Sequence, residues 1–209
     1  MPTKVPKKIL AANKSFVQRI ADSFDKSPVT SFVAFPQQTS FDGQDKDENI
    51  ILIIRQHPAV YIPQFFLVLA LIVVAIVFNV ALSNLDLVVG TRIALTAGLG
   101  IFFFLIVLAV IFYTFIKWFY TVNIVTDERI VDLDFKNILA HEYSEAQIEK
   151  IEDVTHRVNG FLGLLFDFGT VTIQTAGTKP EFEFDNVPRP RDVQDTLLDL
   201  LEMKQKGQI

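Results

Sequence analysis

Two uninterrupted apolar stretches dominate the pattern of hydrophobic and polar positions along this chain. Ile62 to Leu82 reads IPQFFLVLALIVVAIVFNVAL, 21 residues without a charge, and Ile93 to Ile116 reads IALTAGLGIFFFLIVLAVIFYTFI, 24 residues without one. A spanning helix needs about 20 apolar residues at about 1.5 Å rise each, and a helix buried in a soluble protein rarely stays apolar on every face for that length. Both stretches are therefore expected to cross a membrane. The ten residues between them, SNLDLVVGTR, carry only Asp86 and Arg92 as charges, which predicts a tight helical hairpin with both termini on one side. Lys46, Arg55, Lys117, Arg129 and Lys136 flank its outer ends against Arg92 in the connection, a bias that predicts cytoplasmic termini in a multi-pass protein of the cell membrane. The first 55 residues hold no apolar run of the kind a cleaved signal peptide needs, so the first span is expected to act as the insertion signal.

Tyr61 ahead of the first span, and Lys117, Trp118 and Tyr120 after the second, fit anchors at the membrane interface, with Lys117 able to snorkel. Gly90, Ala94 and Gly98 recur at i, i+4 and i+8, a small-residue stripe that lets another helix approach closely. Ala70, Val74, Val77 and Ala81 of the first span offer a matching stripe, so an antiparallel pair within the hairpin is expected, with a contact between two protomers as the alternative. No Asp, Glu, Lys, Arg or His lies inside either span, which leaves a proton relay or ion pathway without residues.

Beyond Trp118 the pattern changes to short β-branched and aromatic runs: WFYTVNIVT, RIVDLDF, ILAHEY, VTHRV, GTVTIQTA and FEFD. Turn signals fall at Asp127-Glu128, Lys136-Asn137 and Ala176-Gly177. A small antiparallel sheet or barrel follows, then a helix over about 190–204 with Val193, Leu197, Leu200 and Leu201 on one face. Ahead of the hairpin, Phe16, Val17, Ile20 and Phe24 share a helical face, with Lys7, Lys8, Lys14 and Arg19 elsewhere; such a segment can lie on an anionic membrane or form a tail. Phe32 to Glu48, with Pro36, Gly43 and many polar residues, reads as a linker. The expected division is 1–55 as an N-terminal amphipathic and linker region, 56–117 as the hairpin, and 118–209 as the cytoplasmic domain.

Composition agrees with a membrane protein: 50% of residues are hydrophobic and the mean hydropathy is +0.35. With no cysteine, disulfides, Cys-based zinc sites, Fe–S clusters and cysteine nucleophiles are excluded. A net charge of −5 argues against nucleic acid as a partner. That charge is uneven, because residues 117–209 carry 10 Lys+Arg against 17 Asp+Glu, or −7, whereas residues 1–55 carry 8 against 6.

Candidate chemistry is sparse. His57, His141 and His156 are too scattered for a metal constellation. Read as a helix, EAQIEKIEDVTHRV would align Glu149, Glu152, Asp153 and His156, but the second such helix a dimetal site needs is missing, and VTHRV favours a strand with Val154, His156 and Val158 on one face. Gly160 and Gly163 form a G-x-x-G whose apolar neighbours do not suit a polyanion. The chain has no G-x-S-x-G, P-loop or H-E-x-x-H. No catalytic residue, metal, cofactor or small-molecule substrate is therefore expected. Phe161, Leu162, Leu164, Leu165, Phe166 and Phe168 crowd one turn, which predicts that some of them, Phe161, Leu162, Leu164 and Leu165 first, meet the bilayer or a partner.

The hairpin followed by YTVNIVTDERIV, IEDVTHRVNGFLGLLFDFGTVTIQTAG and FDNVPRPRDVQDTLLDLL resembles the bacterial pleckstrin-homology-like (PH-like) family of membrane proteins, over roughly residues 48–203. The most specific pieces are the VT-x-x-RI turn at Val125–Ile130, the I-x-D-V of Ile151–Val154 and the FGTVTIQTAG of Phe168–Gly177; the upstream FDGQDKDENIILIIRQHP is also similar. Asn137 stands in a turn where the family pattern suggests Gly, and Asn tolerates the left-handed conformation. The resemblance implies an α+β membrane protein, a seven-strand split barrel capped by a C-terminal helix, with no catalytic residues, and a ligand that is either a protein segment or a lipid headgroup. The acidic domain favours a non-enzymatic interaction or scaffold module, anchored in the lipid bilayer, that meets a protein partner or another copy of itself. The alternative is a protein that senses or organises anionic lipid with help from its basic N-terminal segment.

Overall fold

The computed structural model describes residues 16–18, 20, 31–36, 39–41, 43–137, 140–158, 160–177 and 180–208, with side chains described outside 134–137 and 140–142. Phe24, Lys7, Lys8, Lys14, Arg19 and the side chain of His141 lie outside the described set. The chain divides into two units: one is Val60–Trp118, and the other joins the chain up to Ala59 with the chain from Phe119 onward.

The first unit is a pair of helices, α1 (Ile62–Ser83) and α2 (Val89–Tyr120). At about 1.5 Å per residue they are about 33 and 48 Å long, enough to cross a hydrocarbon layer of about 30 Å. Their half-buried faces recur every three or four residues: Val68, Leu71, Ala75, Asn79 and Leu82 on α1, and Thr96, Leu99, Phe103, Val107, Val110 and Thr114 on α2. Phe78 and Phe103 bring their rings to 6.2 Å. The expected small-residue pairing is not what packs the hairpin. Ala70, Val74, Val77 and Ala81 are exposed, as are Gly90, Ala94 and Gly98, and a Cβ placed on Gly90 or Gly98 would meet nothing within 4 Å. Leu71, Leu99 and Phe103 are half-buried instead, while the small residues face outward.

The second unit holds two antiparallel sheets. The larger has the order β1 (Phe32–Ala34), β2 (Ile50–Arg55), β3 (Val122–Thr126), β4 (Arg129–Asn137) and β5 (Ala140–Gln147). The smaller has β6 (Ile151–Arg157), β7 (Phe168–Thr175) and β8 (Glu181–Pro188). A short helix α3 (Gly160–Phe166) joins β6 to β7, and α4 (Pro190–Gln205) follows β8. One core gathers Ile51, Leu52 and Ile54 of β2, Val125, Ile130, Val171, Ile173, Phe182 and Phe184 from both sheets, and Val193, Leu197, Leu200 and Met203 of α4. A smaller cluster, Ile50, Ile53, Ile124 and Val131, covers the opposite face of the larger sheet. Gly169 is required for the tight approach of β6 to β7, since a Cβ there would stand 2.2 Å from the Arg157 carbonyl oxygen.

These contacts correct the expected division at residue 55. β2 pairs with β3 in the register Ile53↔Ile124 and Ile54↔Asn123, so strands on either side of the hairpin are neighbours in one sheet. The segment read as a linker supplies β1, which pairs with β2, for example Phe32↔Ile54. Phe16, Val17 and Ile20 are helical as expected, but they are buried in the domain's own core rather than offered to a membrane surface. At the other boundary Trp118 and Tyr120 remain helical, and the strand starts at Val122.

Candidate functional site

β2 leads out of the domain into the hairpin and β3 leads back in, so the turn between β3 and β4 stands beside the segment that precedes β2. That turn is Thr126-Asp127-Glu128-Arg129, and the preceding segment contributes Gly43, Asp45, Glu48 and Asn49. Glu48 is the centre of the junction, its carboxylate wholly buried. Its Oε1 accepts from Thr126 Oγ1 at 2.7 Å and Arg129 Nε at 3.0 Å, and its Oε2 from Arg129 Nη2 at 2.9 Å and Asp45 N–H at 3.1 Å. The side-on fork from Arg129 is the geometry in which guanidinium and carboxylate bind best. Burial alone would push the Glu48 carboxyl up, but its hydrogen bonds with Arg129, Thr126 and Asp45 together hold it below the ordinary range.

Arg129 spends its remaining donors nearby. Nη1 donates to Glu145 at 3.0 Å, and Nη2 to Asp45 at 3.0 Å and the Gly43 carbonyl at 3.2 Å. Its guanidinium, stabilised first by Glu48, is held even more firmly protonated than a free arginine. Asp127, also buried, accepts from Asn49 N–H and Nδ2, both at 2.9 Å. The polar residues of the VT-x-x-RI turn thus tie together segments about 80 residues apart, and neither Glu48 nor its pairing with Thr126 and Arg129 was expected from the sequence.

This junction forms one wall of a cleft of about 560 Å³. Ser144 to Gln147 of β5, the outer strand of its sheet, form a second wall; Glu149, Lys150, Thr175, Phe182 and Lys204 complete it. Four carboxylates line it, Asp45, Glu128, Glu145 and Glu149, against Arg129, Lys150 and Lys204. Arg129 is engaged as described, and Lys204 Nζ donates to the Asp127 carbonyl at 3.4 Å and stands 4.0 Å from Glu149. At Arg129 and Lys204 an anion would have to displace carboxylates already in place. Neutral or cationic groups and backbone amides suit the cleft better.

The residues singled out from sequence lie elsewhere. His156 is exposed with Nδ1 against Gln194 Oε1, and β6 is a strand as expected; its buried residues are Ile151 and Val154. Among the described residues, no group of three His, Asp or Glu side chains is placed to hold a metal ion. Phe161, Leu164 and Leu165 are exposed on α3 and Leu162 is half-buried. Tyr61, Lys117 and Trp118 are half-buried and Tyr120 is exposed. His57 bridges β2 and the small sheet: its N–H donates to the Asn186 carbonyl at 2.8 Å, and its ring stacks on Phe168 at 5.4 Å. Its Nδ1 accepts from Ala59 N–H at 3.1 Å, and burial lowers its pKa despite the opposing pull of Asp167.

The family described as bacterial PH domain matches this chain over residues 58–201, which takes in the hairpin and the domain that follows. No curated protein and no solved structure matches it.

Proposed function

From the premise that the chain belongs to the bacterial PH domain family, we propose that it is a membrane-anchored, non-enzymatic interaction module whose PH-like domain receives a segment of a protein partner. The hairpin α1–α2 anchors it, and the cleft beside β5 is the receiving surface. Support for placing both ends of the hairpin on one side of the membrane comes from the β2–β3 pairing, because the chain leaves and re-enters the domain at adjacent strands. The observation that carries the choice of ligand is the saturation of Arg129 by Glu48, Asp45 and Glu145. A headgroup reader needs cations free to meet phosphate, and each acidic residue close to an anionic leaflet costs about 1 kcal/mol. A protein segment laid along the outer edge of β5 would instead gain backbone hydrogen bonds, and basic side chains on it would meet Glu128, Glu145 and Glu149.

A photoreactive phenylalanine derivative at Gln147, in the cleft, tests this in intact cells against the same residue at Glu183 on the small sheet. The expected result is a discrete protein adduct from position 147 alone, lost when Glu145→Lys and Glu149→Lys are added. Adducts with lipid only, or equal adducts at both positions, would overturn the reading.

A further inference from the structure

α3 presents an apolar surface that its own domain does not cover. Phe161 is 76% exposed, Leu164 78% and Leu165 61%, with Phe166 and Val158 beside them. The sequence from Gly160 to Phe166 carries no charge and no polar side chain. The helix is nonetheless firmly seated. A Cβ on Gly163 would stand 2.9 Å from the Phe168 carbonyl oxygen, so the backbone of α3 lies directly on the start of β7. Phe166 reaches the ring of His57 at 6.2 Å, and that same ring stacks on Phe168. The exposed side chains therefore sit on a fixed platform.

The place of that platform in the chain bears on what covers it. His57 is five residues before the first residue of α1, a separation that extended chain can stretch to no more than about 18 Å. Phe166 touches His57, so the chain between that contact and the start of α1 is too short to let the apolar face lie far from where the hairpin begins. A surface of Phe and Leu without charge matches the boundary between headgroups and acyl chains and needs no anionic lipid to bind it.

We propose that α3 is a third membrane contact, a short wedge whose Phe161, Leu164 and Leu165 side chains enter the leaflet from which the hairpin emerges. The hairpin anchors the domain, and the wedge fixes which face of the domain looks away from the bilayer. This depends on the hairpin crossing a membrane and is independent of what binds the cleft.

The chain has no cysteine, so single cysteines carry a probe to defined positions. An environment-sensitive fluorophore is placed in turn at Phe161→Cys, Leu164→Cys and Leu165→Cys of the full chain in nanodiscs of zwitterionic lipid, with spin-labelled acyl chains as the quencher. Phe104→Cys in α2 reports on the hairpin itself, and Glu183→Cys on a solvated surface; a melting profile equal to that of the parent confirms that each variant is folded. The wedge predicts a blue-shifted emission at the three α3 positions and at least two-fold quenching by the lipid label, as at position 104 and unlike position 183, with no change in high salt. Water-like emission on α3 while position 104 is quenched would overturn the wedge alone. Emission that is shielded on α3 but not quenched by lipid would assign the surface to a protein or a second copy and also overturn it. Loss of quenching at position 104 would remove the hairpin reading on which it depends.

Discussion

Replacing Arg129 by Ala isolates the junction that holds the two halves of the domain together. The change leaves the Glu48 carboxylate buried, with only Thr126 and the Asp45 N–H to stabilise its charge. Breaking a buried, hydrogen-bonded ion pair from one side costs about 3–5 kcal/mol, because the remaining charge stays desolvated. Glu145 and Asp45 contribute less to this figure, since both are substantially exposed and the Arg129 bonds to them are screened. For a domain of this size about 1 kcal/mol moves the melting temperature by about 2–4 °C, so a fall of about 6–20 °C is expected. The pH dependence separates this from loss of packing. In the parent, Glu48 titrates below its unfolded range, so it contributes stability above that range that is lost as pH falls through its folded value. Without Arg129, burial dominates and raises the Glu48 pKa; the variant should then recover stability relative to the parent as pH falls and the carboxyl is protonated. Glu48→Gln combined with Arg129→Met should cost less than the sum of the two single changes. Thermal unfolding in mild detergent between about pH 4 and pH 8 is the assay. A loss under about 1 kcal/mol for Arg129→Ala, with an unchanged pH profile, would refute the reasoning.

Further expectations follow from the same packing. Ile54→Ala, at a fully buried position ahead of the hairpin, should destabilise the domain by about 2–5 kcal/mol in the same unfolding assay, as for any core aliphatic residue. Gly169→Ala should abolish or severely impair folding, whereas Gly98→Ala, where a Cβ meets nothing within 4 Å, should leave the melting temperature within a degree or two. Residues 118–209 expressed alone should lack cooperative unfolding and protease resistance, because Ile51, Leu52 and Ile54 are missing from the core; circular dichroism and limited proteolysis read this directly.

What the sequence made legible depended on periodicity. The two long apolar helices announce themselves by length, and β7 and β8 alternate inward and outward residues in the way a half-buried sheet demands. β2 escaped for the opposite reason. Ile50 to Ile54 is buried on both faces of its sheet, so it shows no alternation and reads as an approach to the first span. The junction was hidden by distance along the chain, since Glu48 and Arg129 are 81 residues apart and look like ordinary surface charges. A polar Thr and an Arg at fixed places in the VT-x-x-RI turn were the available signal, because a turn on the surface has no need of either. The small-residue stripe was legible as a helix face, but spacing does not say whether that face meets the paired helix, and it is exposed. The α3 surface, in contrast, was visible from composition alone, as six apolar side chains are more than one turn can hide.

That the hairpin α1–α2 is inserted between two adjacent strands of one domain is the claim on which the rest depends. Ile53 and Ile124 are direct partners across β2 and β3, and such antiparallel partners lie within disulfide range. In this cysteine-free chain, Ile53→Cys with Ile124→Cys can be oxidised and a protease site placed in the connection between α1 and α2. After cleavage the two fragments should migrate as one species without reductant and as two with it. Fragments that separate without reductant, in protein that is otherwise folded, would contradict the pairing and with it the shared domain.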